Sequence, residues 1–145
     1  MEDATLKTTN HSAYRIYFHL VLSMKYRHKC LSSGMLDRLE EIMTDTLAKW
    51  GCQCIEFGGE ADHVHLLIEV HPTIKPSDLV KNVKSVSARR MRKEYSQALA
   101  PYYWKPYFWS PAYALISVGG RANIQTLLRY IQNQDKPGQL GQPLN

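Results

Sequence analysis

The chain lacks any stretch approaching the eighteen or so consecutive apolar residues that a membrane-spanning helix requires. Its first twelve residues, MEDATLKTTNHS, lack the basic start and apolar run of a secretory leader. A cytoplasmic protein without membrane contact is therefore expected. Cysteine is scarce and odd in number: Cys30, Cys52 and Cys54. That argues against a disulfide framework and for reduced thiols. Cys52-Gln53-Cys54 has no second cysteine pair to complete a zinc site, so it reads as the start of a strand. No Gly-x-x-x-x-Gly-Lys loop is present, so the chain has no phosphate cradle of the nucleotide-triphosphatase kind.

What is present bounds the answer further. With 145 residues, 44% of them hydrophobic, the chain fits one domain with a real core. The net charge is +5. The basic excess is concentrated: Lys75, Lys81, Lys84, Arg89, Arg90, Arg92, Lys93 and Lys105 stand against only Asp78 and Glu94. Such a segment is either an ordinary solvated helix face or a track for a phosphate backbone.

Hydrophobic periodicity divides the chain into seven elements. YRIYFHLVLSMKY, residues 14 to 26, alternates Ile16, Phe18, Leu20, Leu22 and Met24 on one face, as a half-buried strand does. Ser32 or Ser33 caps a helix running from Gly34 to about Trp50, stopped by Gly51. CQCIEFGG forms a second strand, with Gly58, Gly59 and Asp62 suited to the turn that follows. HVHLLIEV is the third strand. A helix from Ser77 to about Tyr95 follows Pro76, with a thin apolar side of Leu79, Val80, Val83, Val86 and Met91. After a proline-broken aromatic connection, AYALISVGG is a fourth strand, and Asn123 to about Asn133 a last helix. The order predicts an α+β fold: a ferredoxin-like split βαβ antiparallel sheet with helices on one face and an added C-terminal helix. Residues 1–12 read as a polar tail, 13–135 as the domain, and 136–145 as a Gly/Pro/Gln-rich flexible tail.

The third strand raises a chemical question. Residues two apart on a strand share a face, so His63 and His65 project together, with Val64 opposite. A His-x-His strand pair is a natural two-nitrogen chelate for a metal, but an isolated pair is more often two histidines on a solvent-facing strand edge, or core histidines satisfied by hydrogen bonds. The stretch continues neither as a dinuclear hydrolase motif nor as a zinc deaminase motif. In the last helix, LLRYIQNQ, Tyr130 and Gln134 are four apart and lie on one helix face. A tyrosine can act as a nucleophile, and a glutamine oxygen can face a hard cation. Taken alone, the pair reads as part of an ordinary amphipathic helix, its tyrosine half buried and its glutamine solvated.

Read together, HVH on a strand and YIQNQ on a C-terminal helix resemble the single-tyrosine HUH transposases of the IS200/IS605 type. MKYRHKCL after the first strand, DHVHLLIEV, and SVGG ahead of YIQNQ are similar to family landmarks and stand in the same order. The resemblance covers roughly residues 14 to 135. It implies an enzyme that cuts and rejoins single-stranded DNA at hairpin-bearing insertion-sequence ends. It implies that Tyr130 attacks the scissile phosphate, giving a 5′-phosphotyrosine link and a free 3′-OH. It implies a divalent ion, Mg²⁺ or Mn²⁺, held by His63, His65 and Gln134, and a homodimer whose composite sites take histidines from one chain and tyrosine from the other. Gly119 and Gly120 would then be the hinge of the tyrosine helix. Lys81, Lys84, Arg89, Arg90 and Lys93 are candidate phosphate contacts, and Tyr102, Tyr103, Trp104, Tyr107 and Trp109 candidate stacking rings, though core packing suits most of those aromatics. Lys25, Tyr26 and Arg27 are further candidates at the end of the first strand.

Two other readings compete. A domesticated relative would use the same chemistry on host repeat hairpins. A non-catalytic single-stranded nucleic-acid-binding module would use the same sheet fold, but would leave the His, Tyr and Gln set idle.

Overall fold

The computed structural model describes residues 6–8 and 13–118, with Arg129 and Gln132. Two short strands come first, β1 (Lys7–Thr8) and β2 (Ala13–Tyr14), paired antiparallel. The alternating run becomes β3 (Tyr17–Met24) and ends in a 3₁₀ turn over Lys25–Arg27. Helix α1 (Ser33–Lys49) follows, then β4 (Gln53–Glu60), β5 (His63–Glu69), α2 (Pro76–Glu94), the single turn α3 (Ser96–Leu99) and β6 (Trp109–Ser117). The main sheet has the order β4-β5-β3-β6, with every neighbouring pair antiparallel. This is the expected split βαβ arrangement, with β5 and β3 at the centre.

Local signals account for the helix ends. Ser32 Oγ accepts from the Met35 amide at 3.2 Å, satisfying one donor of the first turn. Gly51 takes φ 71° just beyond α1, a left-handed conformation that glycine adopts without strain. Pro76 opens α2, where its missing N–H has no partner to lose. The helices cover one sheet face. Leu39, Ile42, Met43 and Leu47 of α1 and Leu79, Val83 and Met91 of α2 close over Leu20, Leu22, Val64 and Leu66.

Several expectations are corrected. Gly58 and Gly59 lie inside β4, not in a turn; the turn is Ala61–Asp62 alone. A Cβ on Gly59 would fall 2.7 Å from the His63 carbonyl and 2.9 Å from Leu36 Cδ2, so this glycine lets α1 approach the sheet. The fourth strand starts at Trp109 rather than Ala112. It begins with an irregularity opposite Ser23, and Pro111 sits there, where a missing amide donor is tolerated. The first strand is not half-buried: Val21 and Ser23, on the face away from the helices, are as closed as Leu22. Within the polar N-terminal stretch, Lys7 and Thr8 form a short paired strand, and Lys7 Nζ reaches Glu69 Oε1 at 3.6 Å. In α2 Val86 packs against the core as expected, and the buried stripe also takes in Ser87, whose Oγ accepts from the Trp109 indole N–H at 2.9 Å. Gly119, Gly120, Tyr130, Gln134 and the 136–145 tail lie outside the described residues.

Candidate active site

β5 is pinned in register on both sides. His63 lies opposite Ser23 of β3 and Glu60 of β4; His65 lies opposite Val21 and Gly58. Strand alternation then sends Val64, Leu66 and Ile68 into the helix-side core and both imidazoles to the other face. The two rings are inclined by 30° to one another, 6.3 Å apart between centres, and both are part-buried.

Each ring is held by a neighbour that the sequence pattern did not single out for this role. His63 Nδ1 lies 2.8 Å from Asp62 Oδ1. A carboxylate only accepts, so Nδ1 carries the hydrogen, and in the neutral ring Nε2 keeps its lone pair. The other oxygen of Asp62 accepts from Arg27 Nη2 at 3.0 Å. The Asp62 backbone carbonyl accepts from the Met24 amide at 2.9 Å, so the carboxylate sits on a fixed turn. Burial pushes the Asp62 carboxyl up, but the hydrogen bond from His63 and the charges of Arg27 and His63 outweigh it and hold it below the usual carboxylate value.

His65 is held differently. A Cβ built on Gly58 would fall 2.7 Å from His65 Cε1 and 2.8 Å from its Nε2. The ring therefore lies over bare backbone, and any side chain at position 58 would collide with it. Burial, then the charges of His63 and His19, push the His65 pKa down, against a smaller upward pull from Glu56 and Glu60. A neutral imidazole with an available lone pair is the form that binds a metal.

This donor pair fits a divalent cation: two neighbouring imidazoles on one rigid strand, one with its tautomer fixed by a carboxylate. Among the described residues no cluster of three or more His, Cys, Asp or Glu forms a complete site. A third protein donor would come from elsewhere in the chain, where the sequence offers Gln134.

The basic helix does not present one continuous stripe. Lys81 and Arg92 line a cleft of about 400 Å³ with Tyr107, Trp109 and Tyr113. Lys84 borders the same cleft, but its Nζ donates to the Ser110 carbonyl at 2.8 Å and the Pro111 carbonyl at 3.1 Å, fastening α2 to the irregular start of β6. Arg90 leans on Glu94 at 3.7 Å. Lys81, Arg89 and Lys93 are exposed. Of the candidate stacking rings, Tyr103 and Trp109 are buried, whereas Tyr102 and Trp104 are exposed.

Asp62 and Gly58 were visible in the sequence only as turn residues. The Asp-His dipeptide was a signal for the first. Nothing local marks the second, because its role depends on the β4–β5 register.

A ferredoxin-like antiparallel sheet carrying a His-x-His pair on the face away from its helices defines the class. The chain matches the family described as "Transposase IS200 like" over residues 12–134, and it belongs to that family. It is 36% identical to the ISDra2 transposase TnpA of Deinococcus radiodurans over 121 residues, 83% of this chain and 85% of the relative. It is 25% identical over 139 residues to the transposase for insertion sequence element IS200 of Salmonella typhimurium, covering 92% of this chain and 88% of the relative. A 1.90 Å crystal structure of a Deinococcus radiodurans R1 protein described as a transposase superposes with a TM-score of 0.79 at 30% identity, covering 88% of this chain and 97% of that one. A REP-associated tyrosine transposase bound to a REP hairpin shares the fold at a TM-score of 0.52 and 9% identity, covering 87% of this chain and 70% of that one. No described helix is long and apolar enough to cross a membrane.

Proposed function

We propose that this transposase cuts and rejoins single-stranded DNA at hairpin-bearing insertion-sequence ends, through a covalent tyrosine intermediate. The observation that carries the reading is the His63–His65 pair, side by side on one sheet face with His63 oriented by Asp62, in a chain of the IS200-like family. Tyr130 is the nucleophile. Its oxygen forms a bond to the scissile phosphorus, and the bond from phosphorus to the 3′ oxygen breaks. The tyrosine proton is lost, and the departing oxygen takes one up as a free 3′-OH. One phosphodiester replaces another, so the reverse attack by a 3′-OH reseals the strand without ATP.

A tyrosine hydroxyl has an ordinary pKa of about 10, so the site must favour the attack electrostatically. His63, His65 and the amide oxygen of Gln134 would hold a divalent cation, Mg²⁺ or Mn²⁺. When bound, such an ion polarises the phosphate and neutralises charge that develops on its oxygens. The protein's own contribution is orientation. Asp62 fixes the tautomer of His63, Gly58 admits the ring of His65, and the strand holds both at a set spacing. The hairpin bound by the REP-associated fold relative supports a hairpin substrate here. The enzyme works as a homodimer, each composite site joining the histidines of one protomer to the tyrosine helix of its partner.

The test is a covalent adduct. Single-stranded hairpin DNA is incubated with the protein and Mg²⁺ or Mn²⁺, then run on a denaturing gel. The expected result is an adduct that is absent in Tyr130→Phe. Cleavage that survives this change removes Tyr130 as the nucleophile.

A further inference from the structure

We propose that the exposed rings of Tyr26, Tyr102 and Trp104 form a stacking platform for unpaired bases of single-stranded DNA at the histidine end of the sheet. The proposal deepens the reading above and rests on it for the choice of DNA.

Three observations converge. The first is exposure: Trp104 is 86% exposed, Tyr26 46% and Tyr102 40%. Two of the rings are linked, since His28 packs against Tyr26 at 6.0 Å and against Tyr102 at 5.7 Å, and Trp104 follows two residues after Tyr102. The second is backbone strain. Tyr26 and Arg27 take φ 59° and 54°, consecutive left-handed residues without a glycine. The fold holds them there. The Lys25 amide donates to the Phe108 carbonyl at 2.7 Å, Tyr103 Oη donates to the Lys25 carbonyl at 2.7 Å, and Arg27 is fixed to Asp62. The strained turn holds the Tyr26 ring on edge against His28 and Tyr107 while 46% of the residue stays exposed. The same Asp62 orients His63, so the platform adjoins the candidate active site.

The third is charge. Lys25 Nζ lies 5.0 Å from the Tyr26 ring centre, and Lys105 Nζ lies 4.8 Å from that of Trp104. Neither 25–36 nor 95–108 contains an acidic residue. Aromatic faces beside ammonium groups suit a base and its phosphate together. In a duplex the base faces are already stacked, so the occupant is an unpaired stretch.

The test measures binding in EDTA, with Tyr130 and the histidines intact, so it is independent of cleavage. A labelled twelve-nucleotide strand without self-complementarity is titrated against wild type, Trp104→Ala, Trp104→Phe and Tyr26→Ser by fluorescence anisotropy. A blunt hairpin without unpaired flanks serves as the reference. Trp104→Ala and Tyr26→Ser should each weaken single-strand binding roughly five- to a hundred-fold, as expected for loss of one stacked base. Trp104→Phe should retain most of the affinity, and hairpin binding should be unchanged. In wild type, the strand should also quench tryptophan emission, because Trp104 is more exposed than the part-buried Trp50 and the buried Trp109. Unchanged single-strand affinity in both loss variants, equal losses on the blunt hairpin, or absent quenching would each overturn the platform.

Discussion

Gly58 lies directly across the β4–β5 ladder from His65, and a single methyl group on it would come within 2.7 Å of the imidazole. The glycine is therefore part of the site even though it carries no functional group. In Gly58→Ala the ring of His65 must rotate away, because the backbone on either side is fixed by the ladder. Manganese affinity in the presence of DNA should fall by about ten-fold or more, as for loss of an orienting neighbour, while the unfolding free energy drops by only about 1 kcal/mol. Isothermal titration and urea denaturation check the two halves. Metal affinity equal to wild type would show that the ring has room to spare.

Asp62 acts on the other histidine. Asp62→Asn keeps the shape but removes the charge that favours Nδ1–H on His63 and pairs with Arg27. We expect metal affinity ten- to a hundred-fold weaker and covalent adduct that recovers at high Mn²⁺. EDTA should abolish the adduct of the wild-type enzyme, and Mg²⁺ or Mn²⁺ should restore it. Two neutral imidazoles and an amide bring no negative charge to an ion, so binding should be weak until DNA supplies phosphate. Tight binding of Mg²⁺ or Mn²⁺ to the DNA-free protein in a calorimeter would contradict this donor set.

The composite-site arrangement predicts complementation. Tyr130→Phe and His63→Ala proteins are each expected to be inactive alone. Mixed dimers contain one site with an intact histidine pair from one protomer and an intact tyrosine from the other. After equimolar subunit exchange half of the dimers are mixed and each has one intact site of two, so adduct formation should recover to about a quarter of the wild-type level, read on a denaturing gel. Absence of rescue after verified exchange would place histidines and tyrosine in the same protomer.

The bond between the two main helices carries a pH signature. Arg38 donates to both oxygens of Glu94, at 2.7 and 3.1 Å. These hydrogen bonds, with a smaller opposing effect of burial and added charge from Arg38, Arg90 and Lys93, hold the Glu94 carboxyl below its ordinary value. A carboxyl lowered in the folded state contributes stability above its unfolded pKa of about 4.3, and loses it as pH falls through the lower folded value. Glu94→Gln should therefore be slightly less stable than wild type at neutral pH, and the gap should close in acid. Because the pair is exposed, the gap should also shrink in high salt. Urea midpoints of the two proteins across pH decide the point; a gap that persists in acid would assign the difference to something other than this carboxylate.

Much of the architecture is legible without coordinates. Period-two alternation located β3 and β5, and a serine cap, a glycine stop and a leading proline located the helix ends, because these signals act within a few residues. The same period put His63 and His65 on one face. Pairing them with Tyr130 and Gln134 rested on the resemblance of the whole motif set, and that part of the site lies outside the described residues. Other features depended on residues far apart in sequence. Gly58 has meaning only once β4 is set against β5. Arg27 finds Asp62 across thirty-five positions. Lys84, read as a phosphate contact, meets the carbonyls of Ser110 and Pro111 across a β-irregularity that no local pattern announces.

By itself the sequence determined the order of elements, the face shared by the two histidines and the concentration of positive charge, since periodicity and composition are properties of neighbours along the chain. Only the tertiary structure decided how each imidazole is held, which lysine serves the fold and which aromatic rings face solvent. Hydrogen bonds, close approaches and burial are set by register and packing between segments, and those are fixed only when the sheet and its helices close on one another.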